Sequence, residues 1–244
     1  MERLFDMMND RRVTDYKFIV QGEEIHCHRV VLALASPYFD DIFTGNAIVP
    51  EMERMPLINV SSASVRQVIT YCYTGALKVP LQNAKEISSL AVLFKLRDVV
   101  DEIDKFIASN LSEENVIGFY FHAMKTSLDD TNTKAIDIIR ENLLGVSEYP
   151  EFKQVTAQQL VDFLSAAKDK EGSNVKLKSL LNWTQYKMED RRGLFLDLLR
   201  KINLRRCSVD YLLEILTRYK DSLFKSHEAS RMVTEALGEL HKKN

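Results

Sequence analysis

Residues 22–45 read GEEIHCHRVVLALASPYFDDIFTG, a stretch that combines turn, strand and helix-start residues in the first part of the chain. Just before it, residues 16–20 (YKFIV) carry an apolar side chain at every second position, the pattern of a β-strand with one buried face. Turn residues at 21–24 (QGEE) precede residues 25–28 (IHCH), so the sequence predicts a β-hairpin. Ser36-Pro37 predicts a helix start, because serine can cap free backbone amides and proline favours the first helical position.

Helical periodicity dominates the rest of the chain. An apolar stripe at helical spacing ends at Thr74-Gly75, where glycine is the usual stop. From residue 84 onward no strand pattern competes with helices, and residues 156–159 (TAQQ) form a capping box. Ser112 is predicted to cap a further helix, and the polar string 127–133 is predicted to be a connection. The fold class is therefore α+β in the first part, a small sheet flanked by helices, and all-α in the second.

Composition and charge exclude several classes of function. The 244 residues include 33 Lys and Arg against 35 Asp and Glu, a net charge of −2, which argues against binding to nucleic acid or to an acidic membrane surface. A local basic group, formed by residues 200–206 with the nearby Lys187, Arg191 and Arg192, is interpreted as a solvated helix face rather than a nucleic-acid contact. Three scattered cysteines, with neither a secretory signal nor an apolar span at the amino terminus, favour a cytoplasmic protein, with the nucleus as the alternative.

Catalytic and metal chemistry find little support in the sequence. No nucleophile has a convincing base and orienting partner, so we expect no enzyme and no cofactor. His26 and His28 are two residues apart and share one face of a strand, but a third metal ligand is missing. The preferred interpretation is that these histidines are structural and that the chain holds no metal.

Residues 22–45, with Asp15 ahead of them, resemble the signature of the BTB (POZ) domain, and residues 71–77 (YCYTGAL) are similar to its second signature. The remainder resembles the BACK domain of kelch-like proteins, notably at residues 180–183 (LLNW). The resemblance implies a BTB domain over residues 1–108 and a BACK domain of stacked helical hairpins over residues 109–244. The family's kelch propeller would begin after residue 244, so we expect none of it here.

The resemblance implies a homodimeric adaptor that binds cullin three and recruits substrates to a RING-type E3 ubiquitin ligase, without performing chemistry itself. The alternative is a non-catalytic BTB–BACK scaffold or regulator that dimerises with other kelch-like proteins and delivers no substrate. Binding of the chain to the amino-terminal domain of the cullin would favour the adaptor.

The cullin-binding residues follow from the same resemblance. The family contacts its cullin through the helix at 36–43, the next loop, helices near 81–96 and the first BACK helices. In this loop Val49-Pro50-Glu51 matches an apolar-x-Glu triplet, two residues later than is usual and with proline in the middle. Helical spacing places the candidates of the first BACK helix on one face, for which ordinary core packing is the alternative. The predicted residues are Tyr38, Phe39, Ile48, Val49, Glu51, Met52, Phe119, Tyr120 and Ala123.

The amino terminus carries the predicted dimer interface. Leu4, Met7 and Met8 stand at i, i+3 and i+4, so a short helix there has an apolar face that is expected to meet another surface. In the family that surface belongs to a second subunit, and the alternative is packing on the helix's own domain. The predicted interface residues are Leu4, Phe5, Met7, Met8, Val31, Leu32 and Ala35.

Overall fold

The computed structural model describes residues 2–45, 53–168, 173–225 and 227–242. Its residues separate into two compact units, one built from residues up to Asn110 together with Phe121–Asn132, the other from Leu111–Tyr120 and residues from Thr133 onward. The boundary predicted between domains at residues 108 and 109 stays a prediction. No helix of the described ranges is long and apolar enough to cross a membrane.

The elements up to Asn110 include both strands and helices, and only helices follow in the described residues. Up to Asn110 the elements are α1 (Glu2–Asn9), β1 (Tyr16–Val20), β2 (Glu23–Cys27), α2 (Arg29–Ala35), α3 (Pro37–Phe43), β3 (Arg54–Leu57), α4 (Ser62–Thr74), α5 (Ala84–Leu93) and α6 (Arg97–Ser109). The helices after it are α7 (Val116–Thr126), α8 (Asp129–Glu141), α9 (Leu143–Glu148), α10 (Pro150–Lys153), α11 (Ala157–Ala166), α12 (Asn174–Tyr186), α13 (Met188–Leu199), α14 (Val209–Arg218) and α15 (His227–His241). This order confirms the predicted fold class.

The sheet of the first unit has the order β2-β1-β3, with β2 antiparallel and β3 parallel to β1. The predicted hairpin is confirmed, but its turn is shorter than predicted, because Glu23 and Glu24 already belong to β2. Gln21 and Gly22 form the two-residue turn and both have a positive φ, which matches the right-handed twist of the flanking strands. The alternating apolar residues of β1 face the core, where all three are buried.

Aromatic rings form the core between this sheet and the helices. Phe39 of α3 is completely buried, and its ring centroid lies 5.7 Å from that of Phe18 in β1 and 4.7 Å from that of Phe94. Phe94 follows α5 directly, so this cluster fixes α3 against both the sheet and the end of α5.

Two predicted helix boundaries are confirmed by their capping geometry. The side chain of Ser36 accepts a hydrogen bond from the backbone N–H of Phe39, and Pro37 occupies the first position of α3. Gly75 ends α4 in the left-handed conformation, with φ of 68°.

In the second unit, a buried arginine joins α10, α12 and α13. The guanidinium of Arg191 lies 3.9 Å from the ring centroid of Trp183 and donates hydrogen bonds to the carbonyl oxygens of Trp183 and Lys153, at 2.5 and 2.8 Å. Trp183 is itself buried and donates its indole N–H to the carbonyl of Val155, so its predicted place in the core is confirmed. The predicted capping box of α11 is also present, formed by Thr156 and Gln159.

Two boundaries differ from prediction. The string 127–133 is mostly helical, because α8 begins at Asp129. The carboxylate of Asp104, on α6, accepts hydrogen bonds from the backbone N–H groups of Asp130 and Thr131, at 2.9 and 2.8 Å, and so satisfies free amides at the start of α8. Similarly, α7 begins at Val116 rather than directly after Ser112.

Candidate protein-interaction surfaces

The amino-terminal helix α1 packs partly within the first unit, against α4 and β2. Met8 is buried, and the ring centroid of Phe5 lies 6.0 Å from that of Tyr73 in α4. Leu4, Phe5 and Met7 are only half-buried. One part of the apolar face of α1 therefore packs inside this unit, and the other part remains accessible.

The exposed apolar residues of α2 are not the ones that were predicted. Val31 and Leu32, both assigned to the dimer interface, are completely buried in the core, which corrects that assignment because a second chain cannot reach them. Ala35 is half-buried. The exposed apolar side chains of α2 are Val30 and Leu34, with exposed fractions of 58% and 77%. Because the two are four residues apart, they lie on one face of the helix.

Hydrogen bonds fasten the connection between α1 and β1 to the start of α2. His28 holds this connection, since its Nε2 lies 3.1 Å from the carbonyl oxygen of Arg12 and its Nδ1 lies 2.8 Å from the hydroxyl of Tyr73. The carboxylate of Asp15 accepts the backbone N–H of Arg29 at 2.8 Å. Both ring nitrogens of His28 are thus engaged, and the predicted structural role of this histidine is confirmed.

Val13 lies in the same connection and is 77% exposed. Its φ of 56° is unusual for a β-branched residue, which normally avoids the left-handed region. The connection therefore exposes an apolar residue in a strained backbone conformation. Sequence reasoning missed Val13 because its exposure depends on backbone conformation, which no spacing pattern encodes.

The outer face of α3 combines an aromatic ring, an aliphatic side chain and a charge. Tyr38 and Ile42 are half-buried and lie one turn apart. Phe39, which was also predicted to bind a cullin, belongs to the buried aromatic cluster and is unavailable to a partner protein. The carboxylate of Asp41 lies 3.3 Å from the Lys95 ammonium group, just after α5.

The end of α5 extends this surface with two exposed aliphatic residues that were not predicted individually, Val92 and Leu93. The ring centroid of Tyr38 lies 5.8 Å from that of Phe94, so the first turn of α3 and the last turn of α5 are neighbours. We call the outer face of α3 together with Val92, Leu93 and Lys95 the α3–α5 surface. The predicted loop residues Ile48, Val49, Glu51 and Met52 lie outside the described residues.

The predicted face of α7 is largely closed. Val116, Phe119 and Ala123 are buried, which agrees with the core-packing alternative, and Tyr120 alone of the three predicted α7 residues is half-buried. The Tyr120 ring meets that of Phe163 edge to face, with centroids 5.5 Å apart. Burial, followed by the charge of Asp162, raises the pKa of Tyr120. Any contact that this face makes with a partner protein therefore centres on Tyr120.

A serine–histidine pair lies in the first unit, where Ser88 Oγ is 2.7 Å from His122 Nε2. Burial, then the charges of Lys85 and Lys125, lower the pKa of His122 to about 4. Ser88 is completely buried, so no substrate reaches its hydroxyl. The pair serves to join α5 to α7 by a hydrogen bond, and its geometry does not match an accessible nucleophile with its base.

The basic group at 200–206 is partly neutralised by acidic side chains. Arg200 pairs with Asp197 and Glu228, and Arg205 pairs with Glu239, at N–O distances of 2.9, 2.5 and 2.6 Å. This pairing agrees with a solvated helix face at residues 200–206. The same prediction is wrong for Arg191, which is buried against Trp183. Within the ranges that the structure describes, no group of three or more His, Cys, Asp or Glu residues is placed to hold a metal ion.

Two protein-family models match the chain, one after the other along the sequence. The family model of the BTB/POZ domain matches residues 4–111, and that of the BACK domain, "BTB And C-terminal Kelch", matches residues 116–217. The chain is a BTB–BACK protein. The hairpin, α2, α3 and the aromatic core thus belong to its BTB domain, and Trp183 and Arg191 belong to its BACK domain.

Relatives of this BTB–BACK protein are kelch-type proteins. Kelch repeat and BTB domain-containing protein 8 of Xenopus tropicalis is 27% identical over 193 residues, covering 78% of this chain and 32% of that protein. Kelch-like protein 3 of Bos taurus is 27% identical over 240 residues, covering 95% of this chain and 40% of that protein. The chain thus spans between 32% and 40% of the length of these relatives. Among solved structures, the BTB domain of zebrafish PATZ1 matches 44% of the chain with 23% identity and a TM-score of 0.40.

Proposed function

We propose that this BTB–BACK protein is a dimeric adaptor that binds cullin three and holds substrates near a RING-type E3 ubiquitin ligase, without performing chemistry itself. The observation that carries the proposal is the pairing of a BTB domain with a BACK domain, the arrangement expected of kelch-like adaptors.

Two separate surfaces of the BTB domain fit the two contacts that an adaptor needs. Val30 and Leu34 form an exposed aliphatic face on α2, which suits the self-complementary contact of a symmetric dimer, and Val13 is a further exposed aliphatic residue of the same domain. The α3–α5 surface mixes Tyr38 and Leu93 with an ion pair, which suits an oriented contact with a different protein. We therefore propose the first surface for the second copy and the second surface for the cullin.

The test is to mix residues 1–244 with the purified amino-terminal domain of cullin three and to measure binding by calorimetry. We expect a stoichiometric complex, and we expect Val49→Ala to weaken it by about tenfold if this residue inserts into the interface. Lys78→Ala, a substitution outside the surfaces assigned here, serves as the matched control. If the wild-type chain binds the cullin and Val49→Ala binds it equally well, Val49-Pro50-Glu51 is not part of the cullin-binding surface.

Failure of the wild-type chain to bind the cullin domain would reject the adaptor proposal. A stable dimer under the same conditions would then favour the alternative, a scaffold that dimerises with other kelch-like proteins and delivers no substrate. The exposed aliphatic face of α2 is compatible with that alternative, because dimerisation is common to both functions.

A further inference from the structure

Lys95 has a backbone conformation that its residue type disfavours. Its φ is 53°, in the left-handed region, at the turn that ends α5. The N–H of Leu96 bonds to the carbonyl oxygen of Ala91 and the N–H of Lys95 bonds to that of Val92, at 2.9 and 3.1 Å. Such a helix end is usually occupied by glycine, because glycine has no Cβ to clash in this conformation.

The ion pair with Asp41 does not explain by stability alone why lysine stands here. The side chains of Lys95 and Asp41 are 57% and 51% exposed, and a pair this open to water contributes little to folding. A lysine at this position therefore strains the backbone, and the ion pair does not stabilise the fold enough to offset that strain. Strained residues of this kind occur preferentially at functional sites.

The position of the pair identifies what the lysine can contribute. At its first turn, α3 is bound to the end of α5 by Ser36, whose Oγ donates to the carbonyl oxygen of Phe94 at 2.5 Å. At its last turn, α3 is bound to the same end of α5 by Asp41 and Lys95. The two links hold α3 near both ends; Tyr38 lies between them, and Ile42 directly follows the second link.

We propose that Lys95 is a positioning residue for the α3–α5 surface: it accepts backbone strain so that its ammonium group fixes the last turn of α3 beside Leu93 for the incoming partner protein. This inference rests on the proposed function, since the partner is taken to be the cullin. It predicts that relieving the strain makes the domain more stable and the contact weaker, two effects that a purely structural residue would not separate.

The first experiment replaces Lys95 with glycine in residues 1–244. We expect Lys95→Gly to raise the midpoint of thermal unfolding by about 2 °C, because glycine relieves the strain. We also expect it to weaken cullin binding by about fivefold, the order of coupling between contacting residues. The matched control is Gln21→Gly, which removes a left-handed side chain from the hairpin turn and should raise the midpoint without changing affinity. Equal affinity of Lys95→Gly and the wild type would overturn the proposal.

A charge reversal separates positioning from direct recognition. Asp41→Lys and Lys95→Asp should each weaken cullin binding, and the double variant should recover most of the affinity because it rebuilds the pair with exchanged charges. Aspartate tolerates the left-handed conformation, so the double variant keeps the turn. If the double variant binds no better than the single variants, the cullin reads the charges directly and the positioning role is wrong.

Hydrogen exchange tests the same role without a cullin. In the free chain, Lys95→Gly should speed exchange of the Thr44 amide, which bonds to the carbonyl oxygen of Asp40 at the end of α3, even as the whole domain becomes more stable. Unchanged exchange there would overturn the proposal. If the wild-type chain shows no cullin binding while exchange behaves as expected, the adaptor function fails and the positioning role in α3 stands.

Discussion

Two consecutive helices of the BTB domain, α2 and α3, have seven residues each but are held and displayed in different ways. The N-cap residue of α2, His28, makes no side-chain capping bond, whereas Ser36 caps α3 and also reaches the end of α5. The outer face of α2 carries only aliphatic side chains at Val30 and Leu34. The outer face of α3 carries Tyr38 and an ion pair.

This difference shows how one small domain can offer two kinds of contact. Aliphatic surface is attracted to other apolar surface without a preferred direction, so it suits two identical faces that meet across a twofold axis. A ring hydroxyl and a fixed ion pair require matching groups, so they select a partner and an orientation. We therefore expect changes on α2 to affect self-association and changes on α3 to affect binding of the cullin.

The largest effect should come from charging the aliphatic face of α2. Val30→Asp combined with Leu34→Asp should weaken the dimer by about 100-fold or more, because carboxylates would leave water without partners. Sedimentation velocity at micromolar concentration should show the shift from dimer to monomer. Leu213→Asp in α14 is the matched control, since Leu213 is also exposed, at 48%, but lies in the BACK domain. A double variant that stays dimeric would show that α2 does not form the dimer contact.

A second test concerns how α3 is held. Ser36 is completely buried, so Ser36→Ala loses a helix cap and leaves the carbonyl oxygen of Phe94 without this donor. We expect the free energy of unfolding to fall by about 2 kcal/mol, measured by urea denaturation. Thr156→Ala removes the more exposed cap of α11 and should cost about 1 kcal/mol. Equal costs for the two variants would mean that the link from Ser36 to α5 adds nothing.

A third test addresses the recognition assigned to α3. Tyr38→Ala should weaken cullin binding by about tenfold, because the half-buried ring provides the aromatic contact of the α3–α5 surface. The same variant should leave the mass of the free dimer unchanged, which light scattering can verify. Loss of the dimer in Tyr38→Ala would show that the two surfaces are not independent.

The smallest effect is a pH dependence of the unfolding free energy that comes from His122, whose ring bonds to Ser88 of α5. The pKa of His122 is lowered from 6.5 to about 4 by burial and then by Lys85 and Lys125. Between these values the unfolded chain binds a proton that the folded chain does not, so the contribution of neutral His122 is complete above about pH 6.5 and is lost as the pH falls towards 4. We expect a decrease of about 1 kcal/mol in unfolding free energy between pH 7 and pH 5, after allowing for solvent screening. His122→Gln should flatten this decrease, and an identical slope in both proteins would contradict the assignment.

Local signals made much of the fold predictable. The alternation in residues 16–20, the Ser36-Pro37 pair and the glycine after α4 act within a few residues of where they stand, and each is confirmed by a strand or a capping bond. The capping box at 156–159 is another local device and is likewise present.

The predictions that were wrong concern features that depend on contacts between distant residues or on which face of a short helix is buried. The start of α8 is fixed by Asp104, 26 residues before Asp130, so the polar string at 127–133 contained no sign of it. Residues 30–35 (VVLALA) are all apolar, so no polar position indicated that Val31 and Leu32 face inward. The link between Asp41 and Lys95 spans 54 residues and was equally invisible.

The mass of the complex with the cullin shows whether the BTB domain uses one surface for its own copy and another for the cullin. Light scattering on residues 1–244 mixed with the amino-terminal domain of cullin three should give two copies of each protein. The variant Val30→Asp with Leu34→Asp should give one copy of each, because it loses the dimer and retains the α3–α5 surface. Loss of cullin binding in this folded variant, or a wild-type chain that binds no cullin, would contradict the assignment of separate surfaces to the dimer and to the cullin.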